Sequence, residues 1–384
     1  MRTFNLSKLA VSLLAAFGAV AWTPGALAGA SKHLTQTKYI LYIGAYGKGI
    51  SAYRFDASTG KLEAIGLAGE LGNPSFLASD SKYRTLYAVS EVDGSVHGAV
   101  GAFAINRQSG ALRKLNTRDS GGIAPCHLAT YQDKALIVAN YTSGGVSSYP
   151  IEQDGSLGEM VSLMTPKGHG PNPKRQEGPH AHEVVIASSG LAYVPDLGLD
   201  QLRIYNVADD AKLTVHDPAF VQQDPGMGPR HMAFTSDQKY AFVVNELKSV
   251  VSLFRRDTAT GAMTKVQDVS SLPEGFSGEN DPAEILVDAG DKYVYSTNRG
   301  NDSVAVFSFD AAAGKLQQIQ VISTEGKMPR GLEFDPTGHF LFAGNQKTNN
   351  FVVFRVDQAS GKLTPTGQSV TTPSPVAFLF VPVE

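Results

Sequence analysis

The sequence predicts an all-β fold, a seven-bladed β-propeller with four antiparallel strands in each blade. Three observations lead to it: two signatures that recur in step along the chain, strand-like alternation of apolar residues between them, and the lack of a sustained helical period. Each signature recurs at intervals of about 50 residues, which is typical of one propeller blade. Seven such units require about 350 residues and nearly account for a chain of 384.

The first signature is an aromatic residue near the end of a short strand, followed by a polar or glycine-containing turn and a leucine or methionine that opens the next strand, such as Leu157 in the third copy. In the first copy, Tyr53 is followed by Gly60 and Leu62, a spacing that predicts two antiparallel strands joined by a turn. The seven aromatic positions are Tyr53, Phe103, Tyr149, Tyr205, Phe254, Phe307 and Phe354.

The second signature is a proline just before an alternating apolar segment. Two further strands lie between each proline and the next aromatic turn, for example residues 240–245 and 250–255, so each unit contains four strands. The seven prolines are Pro74, Pro125, Pro179, Pro229, Pro282, Pro329 and Pro375.

Both ends of the chain contribute to one blade. Residues 374–381 resemble a first strand without successors, and residues 38–55 resemble a second and a third strand without a first. Pairing these segments would complete one blade and close the ring. We therefore expect a single domain over residues 38–384, instead of the two or three domains that the length suggests.

Residues 1–28 have the three parts of a secretory signal peptide. Arg2 and Lys8 give a positively charged start, residues 9–21 are apolar, and small residues form a cleavage site that ends at Ala28. We expect cleavage after Ala28 and a periplasmic or secreted protein. No later segment is apolar over the roughly 20 residues that a bilayer requires, so we expect no membrane anchor.

Charge and cysteine content exclude several classes of protein. The chain has 33 Lys+Arg against 36 Asp+Glu and a formal net charge of −3, without the basic surplus of a nucleic-acid-binding protein. A single cysteine, Cys126, cannot form an internal disulfide or supply a cysteine-based zinc site. An apolar fraction of 42% with 18% charged residues excludes an extended disordered chain.

The repeat brings one group of polar residues to a single mouth of the propeller. The first strand of each blade begins, and the second, antiparallel strand ends, at the same end of the blade near the ring axis. Polar residues that break the repeat there are candidates for function. Because they combine arginines with acids and histidines, we predict a site for a small anionic ligand. These residues are His127, His180, His182, Arg230, His231, Asn245, Glu246, Glu284, Asn298, Arg299 and Arg330.

Structural roles compete with functional ones at this mouth. An Arg–Glu pair could simply tie neighbouring blades together. His180 and His182, two residues apart on a predicted strand, could ligate a metal with a carboxylate, but the spacing sets no third ligand and we expect no metal. Cys126 and His127 could be a nucleophile and its base, yet adjacent strand residues face opposite ways, which favours a buried thiol.

Four short motifs in these strands resemble the seven-bladed propeller lactonases, a family that includes bacterial propeller 6-phosphogluconolactonases and fungal carboxymuconate-lactonizing enzymes. The resemblance covers residues 39–382 and depends on the motifs together, since each is short. The motifs are Gly178-Pro179-His180-Ala181-His182, Gly228-Pro229-Arg230-His231, Val244-Asn245-Glu246-Leu247 and Thr297-Asn298-Arg299-Gly300-Asn301-Asp302-Ser303.

This resemblance implies a lactone hydrolase in which His182 is the alternative to His180. His180 or Glu246 would take a proton from water, and Arg230 with Arg299 would bind the oxyanion and a substrate carboxylate or phosphate. No metal ion or organic cofactor is required. The implied catalytic residues are His180, Arg230, Glu246 and Arg299, and the residues expected to bind substrate are His182, His127, His231, Asn245, Glu284, Asn298 and Arg330.

The leading functional hypothesis is a monomeric periplasmic lactonase that acts on a small anionic lactone, sugar-derived or carboxylated. Because phosphogluconolactone is a cytoplasmic intermediate, secretion makes an unphosphorylated sugar lactone an alternative substrate. Two other functions fit the same residues: a non-catalytic propeller that binds a ligand or a protein at this mouth, and an enzyme that closes lactone rings. Function has to be argued from the site, because one fold hosts many activities.

Overall fold

Seven four-stranded sheets, each entirely antiparallel, make up the fold. The structure is a computed structural model that describes residues 36–94 and 96–384, and these residues contain 28 strands and no helix. The prediction of a seven-bladed β-propeller is confirmed. The predicted signal peptide, residues 1–28, lies outside the described residues. Nowhere in the described chain does a helix have the length and hydrophobicity needed to cross a membrane.

The seven blades follow one another along the chain, except that the first blade takes its innermost strand from the C-terminus. Blade 1 consists of β28 (Pro375–Pro382), β1 (Lys38–Ala45), β2 (Gly49–Asp56) and β3 (Lys61–Glu70), and blade 2 of β4 (Leu77–Ser79), β5 (Thr85–Ser90), β6 (Ala99–Ile105) and β7 (Leu112–Asp119). Blade 3 consists of β8 (Pro125–Tyr131), β9 (Ala135–Asn140), β10 (Gly145–Pro150) and β11 (Ser162–Met164), blade 4 of β12 (Val185–Ile186), β13 (Leu191–Asp196), β14 (Gln201–Val207) and β15 (Leu213–Gln222), and blade 5 of β16 (Pro229–Phe234), β17 (Tyr240–Asn245), β18 (Val250–Arg256) and β19 (Met263–Ser270). Blade 6 consists of β20 (Asp281–Val287), β21 (Tyr293–Arg299), β22 (Ser303–Asp310) and β23 (Lys315–Ser323), and blade 7 of β24 (Pro329–Phe334), β25 (Phe340–Asn345), β26 (Asn350–Val356) and β27 (Leu363–Thr371).

Blade 1 closes the ring as the sequence predicts. Strand β28 pairs with β1 from Tyr39↔Pro382 to Ala45↔Pro375, so the two ends of the domain are held together by backbone hydrogen bonds. This pairing gives blade 1 its fourth strand and closes the ring, an architecture that leaves only short, protected sheet edges.

The core is distributed between the blades. Seven clusters of buried apolar residues are present in the described chain, one between each pair of neighbouring blades. In β1, for example, Leu41 and Ile43 pack toward blade 7, whereas Ile40 and Tyr42 pack toward blade 2. Alternate side chains of a strand face opposite ways, so both faces of β1 are apolar and the strand is buried over all but its first residue.

A repeated hydrogen bond explains part of the turn signature. The hydroxyl of Tyr193 on β13 donates to the Gly261 carbonyl in the next blade at 2.7 Å, and Tyr295 donates to Gly361 at the same distance. Gly361 has a φ of +69°, and a Cβ on it would lie 2.3 Å from the ring of Tyr293. The turn therefore requires glycine for both conformation and close approach.

Two local predictions are wrong. The segment that contains His180 and His182 is not a regular strand, because the first strand of blade 4 is reduced to β12 and a single bridge between Ala181 and Asp196. In blade 3, Leu157 does not open the fourth strand but forms an isolated bridge with Ile151. Both irregular segments flank the long connection between β11 and β12, which no other blade has.

Substitution of Phe380 tests the closure of the ring. This residue is 7% exposed on β28 and makes edge contacts with the rings of Tyr39, Phe55 and Phe342. We expect Phe380→Ala to lower the free energy of unfolding by about 3–5 kcal/mol, the usual cost of removing a buried aromatic ring. Denaturant unfolding measures this loss, and Phe220→Ala, at a position that is 38% exposed, is the matched control. Equal losses from both substitutions would contradict a closure that depends on this packing.

Candidate active site

Bulges at the start of the first strands re-aim specific side chains at the mouth. In β16 the pairing register shifts between Pro229 and His231, so Arg230 is the extra residue. The same shift occurs around Arg330 in β24 and around Cys126 in β8. A β-bulge leaves one residue out of the ladder and redirects its side chain. Two blades use this position to present a guanidinium group.

Glu246 is the centre of a charge network at the mouth. It follows β17 and is 3% exposed. Its Oε2 atom lies 3.0 Å from Nε of Arg230 and accepts a hydrogen bond of 2.8 Å from Nη2 of Arg299. Nη2 of Arg175 donates to its other oxygen, Oε1. One buried carboxylate thus joins three arginines from three separate segments of the chain.

This environment keeps Glu246 ionised. Burial by itself would raise its pKa, but Arg299, Arg230 and Arg175 outweigh burial and lower the pKa to about 2. A carboxylate of such low basicity is a poor proton acceptor near neutral pH. Its surroundings therefore argue against Glu246 as the base that the sequence suggested, and favour a role in orienting the arginines.

Backbone carbonyl groups hold the two deeper arginines. Nη1 of Arg230 donates to the carbonyl of Ala283 at 2.6 Å, and Nε of Arg299 donates to that of Asp281 at 2.8 Å. Burial, with Arg299 and Arg330 nearby, lowers the pKa of Arg230 to about 10, so this side chain remains a cation at neutral pH. Donors fixed in this way require little rearrangement to bind an anion.

Arg175 is a member of this network that the repeat did not reveal. It lies in the connection between β11 and β12, its side chain is 35% exposed, and it also approaches the Tyr141 hydroxyl at 3.4 Å. The neighbouring Gln176 is fully buried and anchors the loop by donating to the Leu197 carbonyl at 2.9 Å. Alignment of the blades misses Arg175 because this loop has no counterpart, and its only sequence signal is a basic, glycine- and proline-rich stretch.

His180 lies at the mouth with its ring stacked on Tyr141, the centroids being 4.7 Å apart. Its Nδ1 atom is 3.0 Å from the carbonyl oxygen of Tyr141, and Nε2 is 3.1 Å from Oε1 of Glu177. The backbone N–H of His180 donates to Asp196 at 2.8 Å. Because both ring nitrogens face oxygen acceptors, the arrangement suits an imidazole with a proton on each nitrogen.

His182 lies deeper than His180 and contacts a different set of groups. Its Nδ1 atom lies 3.7 Å from Sγ of Cys126, and its ring makes edge contacts with Tyr141 and His231. Burial lowers the pKa of His182 well below its usual range and raises the pKa of the Cys126 thiol. A protonated, buried thiol is a poor nucleophile, so the geometry supports the structural interpretation of this cysteine.

A second set of predicted residues forms what we call the inner cluster: His127, Glu183, His231 and Glu284. Nδ1 of His231 lies 2.7 Å from Oε1 of Glu284. Nε2 of His127 is 3.7 Å from Oε1 of Glu183, and its Nδ1 accepts a hydrogen bond of 3.3 Å from the backbone N–H of Val184. Two imidazole–carboxylate pairs are therefore buried side by side below the mouth.

The buried glutamates in and near the inner cluster have raised pKa values. Burial raises the pKa of Glu284 to about 7 and that of Glu333 to about 8, and it raises the pKa of Glu183 well above its usual range. Glu183, His231 and Glu284 each place a ligand atom within 4.8 Å of the others, a geometry that could hold a metal ion. Glu183 and Glu333 were not among the predicted site residues, although both interrupt a strand position that is alanine or leucine in the other blades.

Arg330 completes the mouth on its other side. Its Nη2 atom is 3.2 Å from Oε2 of Glu91, and the guanidinium lies 5.3 Å from the ring centroid of Tyr46. The Tyr46 hydroxyl donates to Glu91 at 2.7 Å. A narrow cavity is lined by Arg330, Arg230 and six other residues. These are Ser75, Phe76, Cys126, His231, Glu284 and Val376.

For Asn245 and Asn298 the structure corrects the predicted role in substrate binding. Both side chains are fully buried, and their hydrogen bonds join their own blade to the connection that precedes it. Asn245 donates to Ser252 at 2.8 Å, and Asn298 donates to the carbonyl of Ser271 at 2.7 Å. Their position at the end of the second strand marks a structural repeat, because Asn345 bonds a backbone carbonyl in the same way in blade 7. The other predicted residues lie in the mouth network or directly below it.

The weak acids predict an alkaline loss of stability. Glu333 holds its proton to about pH 8 in the folded state but loses it near pH 4.5 when unfolded, so its contribution to stability is fully present below about pH 4.5 and is lost as pH rises to about 8. We expect the free energy of unfolding to fall by about 1 kcal/mol between pH 7 and pH 9. The buried histidines, with lowered pKa values, titrate below this window.

Denaturant titrations at pH 7 and pH 9 measure this loss, and Glu333→Gln should reduce it. The exposed Glu279, in the connection between β19 and β20, provides the matched Glu→Gln control. An equal alkaline loss in Glu333→Gln and the unsubstituted protein would contradict this assignment of the titrating group.

Comparison with known proteins decides the family. A model of the family described as "Lactonase, 7-bladed beta-propeller" matches residues 40–380. The chain belongs to the seven-bladed β-propeller lactonase family. Among its relatives, the 6-phosphogluconolactonase of Bacillus subtilis is 38% identical over 351 residues, which cover 90% of this chain and 99% of the relative. The predicted membership of a family of lactone hydrolases is thereby confirmed.

Two solved structures of lactonases superpose closely on the chain. A periplasmic gluconolactonase from Pseudomonas aeruginosa has a TM-score of 0.85 and 31% identity, over 90% of this chain and all (100%) of that one. A putative 6-phosphogluconolactonase from Bacteroides fragilis has a TM-score of 0.85 and 32% identity, over 90% of this chain and 99% of that one. Lactonases of this fold thus include one named for a periplasmic location.

Proposed function

We propose that this protein is a periplasmic lactonase that hydrolyses a sugar-derived or carboxylated lactone. The observation that carries the proposal is the convergence of Arg175, Arg230 and Arg299 on the single buried carboxylate of Glu246, beside His180. The carboxylate of Asp281 also lies 3.9 Å from Nη1 of Arg175, so the positive excess rests on Arg230 and Arg299, which share Glu246. Such a site suits an anionic substrate and the oxyanion that forms when a lactone carbonyl is attacked.

In this proposal the three arginines have different roles. Arg230 and Arg299 are fixed by backbone carbonyls and are placed to stabilise the oxyanion. Arg175 is more exposed and sits on a loop, so it is suited to bind a carboxylate or phosphate at the far end of the substrate. Glu246 orients all three: it accepts hydrogen bonds from Arg175 and Arg299 and forms an ion pair with Arg230.

His180 is suited to protonate the ring oxygen as the C–O bond breaks. Nδ1 donates to the fixed Tyr141 carbonyl, which sets the ring orientation. Nε2 faces Glu177, whose side chain is 59% exposed and can move aside for a substrate. Departure of the ring oxygen from the carbonyl carbon as an alkoxide is the step that most needs an acid, because an alkoxide is a poor leaving group. His180 provides that proton without a metal or an organic cofactor.

A periplasmic location favours an unphosphorylated sugar lactone. The first residues of the chain have the pattern of a secretory signal with cleavage after Ala28. The Pseudomonas aeruginosa neighbour is named as a periplasmic gluconolactonase, whereas the Bacillus subtilis relative is named as a 6-phosphogluconolactonase. Both names describe sugar lactones that differ in the phosphate group.

A hydrolysis screen tests the proposal. Purified protein, the mature chain from Gly29 onward, is assayed with a pH indicator on glucono-δ-lactone, 6-phosphoglucono-δ-lactone and carboxylated lactones, each corrected for spontaneous hydrolysis. We expect acceleration with at least one of them. No acceleration with a protein that unfolds cooperatively would instead favour a ligand-binding propeller. Fractionation of the producing cells tests the location, and recovery from the cytoplasm would contradict secretion.

A further inference from the structure

One imidazole–carboxylate pair has the geometry of a general base, and its role depends on the lactonase function proposed above. Nδ1 of His231 lies 2.7 Å from Oε1 of Glu284, so the carboxylate fixes the proton on Nδ1 and leaves Nε2 with a free lone pair. His231 directly follows the bulge residue Arg230 and is 3% exposed. The pair is therefore held rigidly, next to a residue of the mouth network.

The free nitrogen belongs to a ring that lines a cavity. Nε2 of His231 is buried and has no hydrogen-bond partner in the described part of the protein, and the same is true of Oγ of Ser75. Both residues line the narrow cavity between Arg230 and Arg330, which has room for about one water molecule. A water molecule there would find a hydrogen-bond acceptor, a hydroxyl group and two cationic side chains.

We propose that His231 is the general base of lactone hydrolysis, that Glu284 is the positioning residue that sets its tautomer, and that the cavity holds the attacking water. The proton moves from this water to Nε2 of His231 while the water oxygen bonds to the lactone carbonyl carbon. The carbonyl electrons move onto its oxygen, where Arg230 stabilises the charge.

The tetrahedral intermediate then collapses and the bond to the ring oxygen breaks. The ring oxygen takes a proton from His180 and becomes the product hydroxyl group. The new carboxylic acid loses a proton to solvent, and solvent returns the proton on His231 to His180. One lactone and one water give one hydroxy acid, with no oxidant, reductant or metal involved.

The alternative bases are already engaged. Glu246 is paired with three arginines, and both nitrogens of His180 face acceptors. Nδ1 of His127 accepts the Val184 N–H, and Nδ1 of His182 faces the Cys126 thiol. Of the imidazoles at or below this mouth, His231 combines a carboxylate on one nitrogen with a second nitrogen that no described protein group occupies.

The groups around His231 predict the pH dependence of the step. Burial, Arg230 and Arg330 lower the pKa of His231 well below its usual range, so the ring is neutral and can accept a proton near neutral pH. Activity should therefore fall as acid protonates this pair, first the Glu284 carboxylate, whose pKa burial raises to about 7, and at lower pH the His231 ring. The titratable or charged groups that face it from neighbouring strands and segments are Cys126, His127, His182, Glu183, Glu246, Glu284, Arg299 and Arg330, with Arg230 on its own strand.

The test uses His231→Gln in the mature protein and the best lactone from the screen. We expect kcat to fall by about a hundredfold with KM changed less than about threefold, because general-base catalysis contributes this order of rate. The acid limb of the kcat–pH profile should also disappear. His216→Gln is the matched control, because this histidine lies on β15 away from the mouth and contacts Asn206 and the Thr260 carbonyl; it should retain both the rate and the acid limb.

Glu284→Gln keeps a hydrogen-bond acceptor for Nδ1 but removes the charge, and it serves as the second variant if His231→Gln does not fold. We expect about a tenfold lower kcat and an acid limb shifted to lower pH. An unchanged kcat and acid limb in either folded variant would overturn the assignment of His231, while the proposed function would stand. A wild-type protein that hydrolyses no lactone would instead remove the function itself.

Discussion

Replacing Arg230 by methionine is expected to lower kcat/KM for the best lactone by about a thousandfold. Removal of one preorganised oxyanion donor usually costs a factor of about 100 to 1000. Arg230 is expected at the upper end, because its Nε also faces Glu246 and its guanidinium lines the cavity beside His231. The substitution thus removes a transition-state contact and an anchor of the network together. Steady-state rates corrected for spontaneous hydrolysis measure the effect.

Arg256 provides the matched control for this substitution. It is also a buried arginine of blade 5, 4% exposed, but it lies at the opposite end of the blade and bonds the Tyr193 hydroxyl at 2.8 Å. Arg256→Met should destabilise the protein without lowering kcat/KM of the folded fraction. Equal catalytic losses in Arg230→Met and Arg256→Met would show that Arg230 acts through general stability instead of chemistry.

Replacing Glu246 by alanine is expected to lower the free energy of unfolding by about 3–5 kcal/mol and to abolish measurable turnover. Loss of one partner of a buried ion pair leaves an uncompensated charge, and that charge carries most of the cost. Here two deeply placed arginines, Arg230 and Arg299, would lose their shared carboxylate. Their mutual repulsion would also displace both from the geometry that binds the oxyanion. Urea unfolding and the lactone assay measure the two effects separately.

The acid side of the stability profile tests the same carboxylate. Glu246 has a folded pKa of about 2 and an unfolded value near 4.5, so its contribution is present above about pH 4.5 and is lost as pH falls toward 2. Glu246→Ala should therefore weaken the dependence of stability on pH in this acid range. Arg175→Met serves as the control, because removing a 35% exposed partner should cost less than about 1 kcal/mol. A larger loss from Arg175→Met than from Glu246→Ala would contradict a network centred on the buried carboxylate.

The architecture could be predicted from the sequence because the propeller repeats its physical requirements. Several blades have a turn where a glycine, such as Gly60 or Gly361, lies against an aromatic ring of the preceding blade, and the turns themselves recur in step. The closure of blade 1 followed from counting strands at the two chain ends. What the repeat could not predict is the irregular segment around His180, since a connection unique to one blade replaces the regular strand there.

The site residues that could be predicted from the sequence are those that lie on regular strands and break the repeat. Arg230 and Arg330 stood out because they replace neutral residues at a bulge position. Asn245 stood out for the wrong reason, since it supports the end of its strand instead of a ligand. Arg175 could not be found in this way, because it reaches the mouth from a loop that has no equivalent in other blades. Protonation states also escaped the sequence, as they depend on burial and on neighbours that only the fold brings together.

The position of oxygen incorporation tests the central claim most directly. Turnover of the best lactone in ¹⁸O-labelled water, followed by mass spectrometry of the product and compared with an enzyme-free sample, reports both the rate and the bond that breaks. Attack of water on the carbonyl carbon at this mouth predicts enzyme-dependent product with one ¹⁸O atom in the carboxylate and none in the new hydroxyl group. Label in the hydroxyl group, or no product beyond the spontaneous reaction, would contradict it.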